Sequence, residues 1–274
     1  MEPQVLRRVA LLLSCEHGGN RVPSAHAHRF ADAEEALASH RGWDPGALEL
    51  ARRWAALAEA PLRFATVTRL LVDLNRSPHN PRVFSPWTRG LDRDQRRALL
   101  RRYHEPYRAE VDGLVRALST GEVRAVPVAA SPSPGQAGGS PEGSPTATVL
   151  HLGIHSFTPS LNGRPRRPDL SFLYDPARPL ERALCGAWVR QLKGRHPDAA
   201  VGRNDPYRGA ADGLTTWLRQ RHDPSAYLGI EVEVNQRLLG PGGAFPSWVV
   251  SALHHGMAEA LEALGWPHPV AGAY

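Results

Sequence analysis

Residues Leu11 to Pro23 read LLLSCEHGGNRVP, an apolar run that ends abruptly in a histidine, two glycines and a proline. Val9 to Ser14 reads as a short buried strand, a continuous apolar run stopped by turn residues. In an open α/β sheet, ligands gather beyond the carboxyl ends of the strands. Glu16 and His17 then stand at that edge. Gly18 and Gly19 let the backbone turn tightly and come close to a ligand. The same residues also fit a polar strand-end turn with one ordinary histidine, because HGG alone is a weak signal.

The pattern of an apolar run delivering polar groups to a turn recurs downstream. Leu62 to Thr68 reads as a strand, and Arg69 to Asn75 as a second strand or its continuation. The segment RLLVDLNRSPHNP carries Asp73, Asn75 and Arg76. An arginine in that place suits a two-pronged grip on a carboxylate, with a surface salt bridge as the plainer reading. Thr148 to Ile154 is a further buried strand that ends in His155. Tyr227 to Val234, YLGIEVEV, is a strand in which Glu231 and Glu233 alternate with apolar residues and therefore share a face. Two acids on an inner strand are unfavourable unless they are paired or functional.

Between these strands the spacing predicts helices over Asp32 to Ser39, Pro45 to Glu59, Asp92 to Leu118, Pro179 to Lys193, Thr215 to Arg221 and Ser247 to Leu264. Asp44 followed by Pro45 has the form of an N-cap with proline at the first helical position. Pro106 is a kink site in the long helix, and the lone His104 there reads as structural. Arg164 to Tyr174, RPRRPDLSFLY, is a basic loop running into a strand, and Ala199 to Gly202 is a short strand. Asn204, Pro206, Tyr207 and Gly209 mark a turn-rich loop. Pro127 to Thr148 is mostly proline, glycine, serine and alanine and cannot bury a core. Its flanks resume the same alternation, so residues 127–148 read as a flexible insertion within one domain spanning 1–274.

Composition narrows the partners. A chain of 274 residues can bury a sizeable core, and 42% apolar with 22% charged residues is ordinary for a soluble protein. The net charge of +6 is spread along the chain among acids, without a basic helix or an aromatic RNA-binding signature. It favours acidic small molecules over nucleic acid. Cys15 and Cys185 make no disulfide framework, and the expected compartment is the reducing cytoplasm. LRRVALLLSC has the look of a lipoprotein signal, but processing there would strip the first strand from beneath His17. No apolar run approaches the ~20 residues of a membrane span. Oligomeric state leaves no mark in the sequence.

Two histidines at strand ends, an aspartate at a helix start and a glutamate on a late strand point to a mononuclear zinc hydrolase. Catalytic zinc takes three protein ligands and keeps a fourth position open. His17, Asp44 and His155 are candidates for the three, and Glu233 for the group that moves a proton between water and the leaving amine. The spacing alone does not establish this arrangement, since no compact HExxH motif is present.

Six blocks decide between these readings: CEHGGNRVP, HRGWDPGALELA, RLLVDLNRSP, HLGIHSFTP, RNDPYRGAADGLTT and GIEVEVNQRLL. Together, and in this order, they resemble the N-formylglutamate amidohydrolase family across most of the chain outside the insertion. The resemblance implies a three-layer α/β/α fold with a central mixed, mostly parallel sheet, the phosphorylase/hydrolase-like arrangement of zinc carboxypeptidases and cell-wall amidases. It implies one zinc held by His17, Asp44 and His155, with Glu233 as the acid/base. It raises Asp44 from helix cap to metal ligand. Arg76 is the first choice for the substrate carboxylate, and Asn75, Asn204 and Tyr207 match further positions lining the site. Glu16, next to His17, is a candidate for orienting a metal ligand, Glu231 is the rival of Glu233, and Arg166 or Arg167 can help hold an acidic substrate. The implied reaction is hydrolysis of N-formyl-L-glutamate to formate and L-glutamate, the last step of one route of histidine degradation. The rival readings are a zinc peptidase or cell-wall amidase and a non-catalytic binder of acidic metabolites.

Overall fold

Every residue of Val9–Cys15 (β1) is buried, and its alternation sorts the core into two sides. Val9, Leu11, Leu13 and Cys15 enter one apolar cluster, while Ala10 and Leu12 enter another. A strand that is apolar on both faces needs cover on both, which in α/β folds comes from helices. The computed structural model, which describes residues 8–121 and 146–269, shows that cover.

After β1 the chain runs through a 3-10 turn at Ser24–Phe30, then α1 (Glu34–Ala38), α2 (Ala47–Leu57) and β2 (Leu62–Phe64). Next come α3 (Arg93–Leu99), a π turn at Leu100–His104, α4 (Glu105–Thr120) and β3 (Thr148–Phe157). A small hairpin, β4 (Ser160–Leu161) and β5 (Arg164–Pro165), precedes β6 (Leu170–Leu173) and α5 (Pro179–Arg195). The chain closes with β7 (Val201–Arg203), α6 (Leu214–Arg219), β8 (Tyr227–Asn235) and α7 (Ser247–Ala263). The main sheet has six strands in the order β2-β1-β3-β8-β6-β7. Pairing is parallel throughout except between β6 and β8. It is the mixed, mostly parallel α/β sheet expected from the sequence.

On one side α2, α5 and α7 pack on the sheet, with Trp54 of α2 edge-on to Trp188 of α5 and Phe172 of β6 stacked on the latter. On the other, Tyr107, Val111 and Val115 of α4 and Leu214 and Leu218 of α6 cover Ala10, Leu12 and Val149. A third, smaller cluster, built on Phe30, Leu70, Leu71 and Leu99, supports the loops between β2 and α3. Each large side chain buried in this way contributes about 1.5–3 kcal/mol.

The structure departs from the sequence reading in local ways. Arg69 to Asn75 is a set of turns rather than a strand, and β2 stops at Phe64. Thr68 takes the backbone out of the sheet, its carbonyl accepting from Leu71 N and its hydroxyl donating to Gly42 O. Leu70 and Leu71 are apolar because they fill the third cluster, not a sheet. β3 runs past Ile154 to Phe157 because its ladder with β8 continues that far, so His155 lies within the strand. Near Pro106 the helix widens into the π turn at Leu100–His104, which accommodates the residue that lacks an N–H. Residues 127–148, read as an insertion, fall outside the described residues except for Thr146, Ala147 and Thr148. The β4–β5 hairpin turns on Asn162 and Gly163, both at positive φ, an Asn-Gly signal that the basic-loop reading passed over.

Asp44 does not cap α2. The N-cap is Gly46, in the left-handed region at φ 79°. A Cβ there would meet Leu239 Cδ2 at 2.5 Å and Phe245 Cε2 at 2.8 Å. We expect Gly46→Ala to destabilise the fold by about 1–3 kcal/mol, through both backbone strain and overpacking. Urea unfolding checks this, and an unchanged midpoint would contradict it.

Candidate active site

Strands β1, β3 and β8 are adjacent and parallel, so their carboxyl ends open on one edge. β1 carries Glu16 and His17 to that edge, β3 carries His155 and β8 carries Glu231 and Glu233. His155 and Glu233 are direct register partners across β3 and β8. Asp44 joins them from the turn before α2, where its backbone N–H donates to the His17 carbonyl at 2.9 Å.

Three of these side chains meet in a buried cluster. Asp44 Oδ2 lies 2.9 Å from His155 Nδ1 and 3.4 Å from His17 Nδ1. One donor atom from each of His17, Asp44 and His155 falls within 4.8 Å of the others, and all three residues are buried. An acid stands behind the remaining nitrogen of each histidine. His17 Nε2 is 2.8 Å from Asp73 Oδ1, and His155 Nε2 is 3.1 Å from Glu16 Oε2. Asp73 is itself gripped by Arg69, whose Nη2 and Nε donate to Oδ2 at 2.7 and 3.2 Å.

This donor set fits a divalent cation. His17 Nδ1 is buried without a hydrogen-bond partner, which leaves a polar atom in need of one. Two imidazoles and a carboxylate, with each imidazole backed by an acid, is the pattern of a zinc site with an open fourth position. The electrostatics agree. Burial works against charge on His155, yet Asp44 and Glu16 raise its pKa well above the usual imidazole value. Burial likewise opposes ionisation of Asp44, but His17, His155 and Arg69 hold its carboxyl well below the ordinary range. Protons thus sit where a cation would displace them.

Glu233 behaves differently from its neighbours. Burial, with Asp44 and Glu231 adding to it, raises its pKa to about 7 against the opposing pull of His155 and Arg69. A carboxyl poised near neutrality can both accept and return a proton.

A cavity of about 500 Å³ opens onto His17, Asp44, His155 and Glu233. Asn75, Arg76, Tyr207 and Glu231 also line it. Arg76 is half-buried, its Nη1 donating to Asp212 O at 2.9 Å, while its own carbonyl is held by Arg108 and His104. Asn75 bridges Glu231 Oε1 and Leu214 N, and Thr215 also donates to Glu231. Tyr207 is exposed at the rim, its hydroxyl accepting from Arg166 Nη1 at 2.9 Å. Asn204 does not line the cavity: its side chain accepts from Tyr174 N and Gly209 N and so fixes the loop that carries Tyr207. Glu16 lies behind His155 rather than beside its sequence neighbour His17. Asp73 and Arg69 received no role from the sequence. The signal for Asp73 was there, since it closes the apolar run of Leu70 to Val72 as His17 closes that of β1.

The N-formylglutamate amidohydrolase family model matches residues 9–138. That segment holds Glu16, His17, Asp44, Asp73 and Arg76, whereas His155 and Glu233 lie beyond it. No curated protein matches the chain. Among solved structures, gene product Atu2144 from Agrobacterium tumefaciens superposes with a TM-score of 0.72 at 26% identity, covering 94% of this chain and 92% of its own. The N-formylglutamate amidohydrolase from Ralstonia eutropha JMP134 superposes with a TM-score of 0.57 at 17% identity, covering 96% and 94%, a likeness of fold alone. By the match over residues 9–138, the chain is similar to the N-formylglutamate amidohydrolase family, as its sequence blocks indicate.

Proposed function

We propose that this chain is a zinc-dependent amidohydrolase that cleaves the N-acyl amide of an acidic amino acid, N-formyl-L-glutamate above all, to give formate and L-glutamate. The observation that carries the reading is the convergence of His17, Asp44 and His155 donor atoms on the wall of a cavity that Glu233 and Arg76 share. The family match and the fold of the Ralstonia enzyme support it. His17 and His155 would hold the cation through Nδ1, and Asp44 through its carboxylate. When bound, zinc supplies Lewis acidity and lowers the pKa of water towards neutrality.

The chain's own residues do the rest. Glu233 takes a proton from the attacking water and delivers it to the amine nitrogen as the C–N bond breaks. Arg76 pairs with the substrate carboxylate and so sets the acyl group against Glu233 and the cation. Asn75 keeps Glu231 hydrogen-bonded, which leaves Glu233 as the acid free to act. The reading places the reaction in the cytoplasm, at the end of one route of histidine degradation, on the support of the sequence resemblance. Among the described residues no helix is long and apolar enough to cross a membrane.

Formate release from a panel of N-formyl amino acids tests the reading, with N-formyl-L-glutamate expected to turn over fastest. Arg76→Ala should raise KM for that substrate by about 10-fold or more, the loss of a charge-assisted pair of about 1.5–3 kcal/mol. A neutral formamide should be affected far less. Equal effects on both would remove Arg76 from carboxylate binding, and zinc without any formate release would favour a peptidase or wall-amidase substrate.

A further inference from the structure

The chemistry above leaves unused two polar side chains buried against the backbone of Leu74 to Arg76. His104 closes the π turn, and Arg108 follows one turn later in α4; they are 1% and 3% exposed. Spaced by four residues, they share one helix face. Buried groups of this kind destabilise unless their hydrogen bonds are made. Here the bonds go to one short piece of backbone. His104 Nε2 donates to Arg76 O at 2.7 Å, and Arg108 Nη2 donates to the same oxygen at 2.9 Å. Arg108 Nε donates to Leu74 O at 3.1 Å.

Apolar side chains would fill these two positions at lower cost. His104 Nδ1 and Arg108 Nη1 are buried without a hydrogen-bond partner, so gripping the two carbonyls is itself destabilising. The Arg108 guanidinium lies 5.4 Å from the centre of the Trp217 ring, which steadies it. The backbone so gripped carries two groups of the cavity wall, Asn75 and Arg76. Arg76 is thereby held at both ends, by α4 at its carbonyl and by Asp212 O at its Nη1. A π turn inserts one residue into a helix and recurs at functional sites. This one ends on His104, the residue that makes the shortest of the three bonds.

We propose that His104 and Arg108 are positioning residues for substrate binding, acting through the Arg76 carbonyl to hold the Arg76 guanidinium in the cavity. Neither lines the cavity, so neither is a catalytic residue. The proposal rests on the carboxylate-binding role given to Arg76 above, and its test separates the two.

The test is a double-mutant cycle read in KM for N-formyl-L-glutamate, with urea unfolding of each variant alongside. His104→Phe keeps a ring but loses the donor. It should raise KM by about 3–10-fold, the equivalent of one hydrogen bond. The kcat should stay within about twofold, as for any loss of uniform binding. His104→Gln, whose amide can donate to the same carbonyl, should recover most of the loss. In an Arg76→Ala background, His104→Phe should change KM by less than about twofold, because residues that act through one another are not additive. Arg108→Met gives a second, independent reading with the same expectation. A merely structural role would lower the urea midpoint and raise KM by the same factor in both backgrounds, and that result overturns the proposal. An unchanged KM in both His104→Phe and Arg108→Met also overturns it. A wild-type KM in Arg76→Ala, or no formate from the wild type, would instead overturn the reading of Arg76, and the proposal with it.

Discussion

Glu233→Gln is expected to keep the full zinc content of the wild type and to lose about 10²–10⁴-fold in kcat, the range associated with a general acid–base. The substitution preserves shape, so the buried site beside His155 need not collapse. What it removes is the ability to accept and return a proton. Glu233 suits that work because burial and the neighbouring acids Asp44 and Glu231 bring its pKa to about 7. Glu231 points into the same cavity but is tied to Asn75 and Thr215. Glu231→Gln should therefore cost about 10-fold or less, since an amide oxygen still accepts from these partners. Steady-state kinetics on both variants, with metal analysis of the same samples, checks the pair. A larger loss in Glu231→Gln than in Glu233→Gln would exchange their roles.

His17→Ala and His155→Ala should each lose most of the bound zinc, because two remaining donors do not make a stable site. Added zinc should raise the melting temperature of the wild type, since a ligand that binds only the folded state stabilises it by mass action. The same addition should leave both alanine variants unchanged. Asp73→Asn should give an intermediate result, with affinity weakened by about 10–100-fold, because Asp73 orients His17 without supplying a donor itself. Metal analysis after dialysis and melting with and without zinc read these outcomes. Wild-type zinc content in both histidine variants would place the metal elsewhere.

Much of this was legible in the sequence because apolar runs that end in polar residues are a one-dimensional signal. LLLSCEH, VLHLGIH and YLGIEVEV each declared a buried strand and a chemical group at or near its end. Period-2 alternation placed Glu231 and Glu233 on one face, and both do line the cavity. The segment after β2 was misread because Leu70 and Leu71 are as apolar as strand residues, and only the third cluster shows what they cover. Asp44 looked like a cap because Asp-Pro before a helix is a capping pattern, and nothing local reveals that its carboxylate turns to His155, 111 positions later. Contacts across such separations are products of the sheet order. The pairing of Glu16 with His155 rather than His17 is of the same kind, since it exists only because β1 and β3 are neighbours.

The reading of a zinc site whose cation and Glu233 together hydrolyse an N-formyl amino acid can be tested on the wild-type protein itself. Its most direct test is zinc content and formate release measured on one preparation of wild-type protein, before and after chelation and after zinc is restored. About one zinc per chain is expected, as a mononuclear site requires. Formate release from N-formyl-L-glutamate should disappear with the metal and return with it. No bound metal and no formate from any N-formyl amino acid, even with zinc supplied, would contradict the claim and leave a binder of acidic metabolites as the better description.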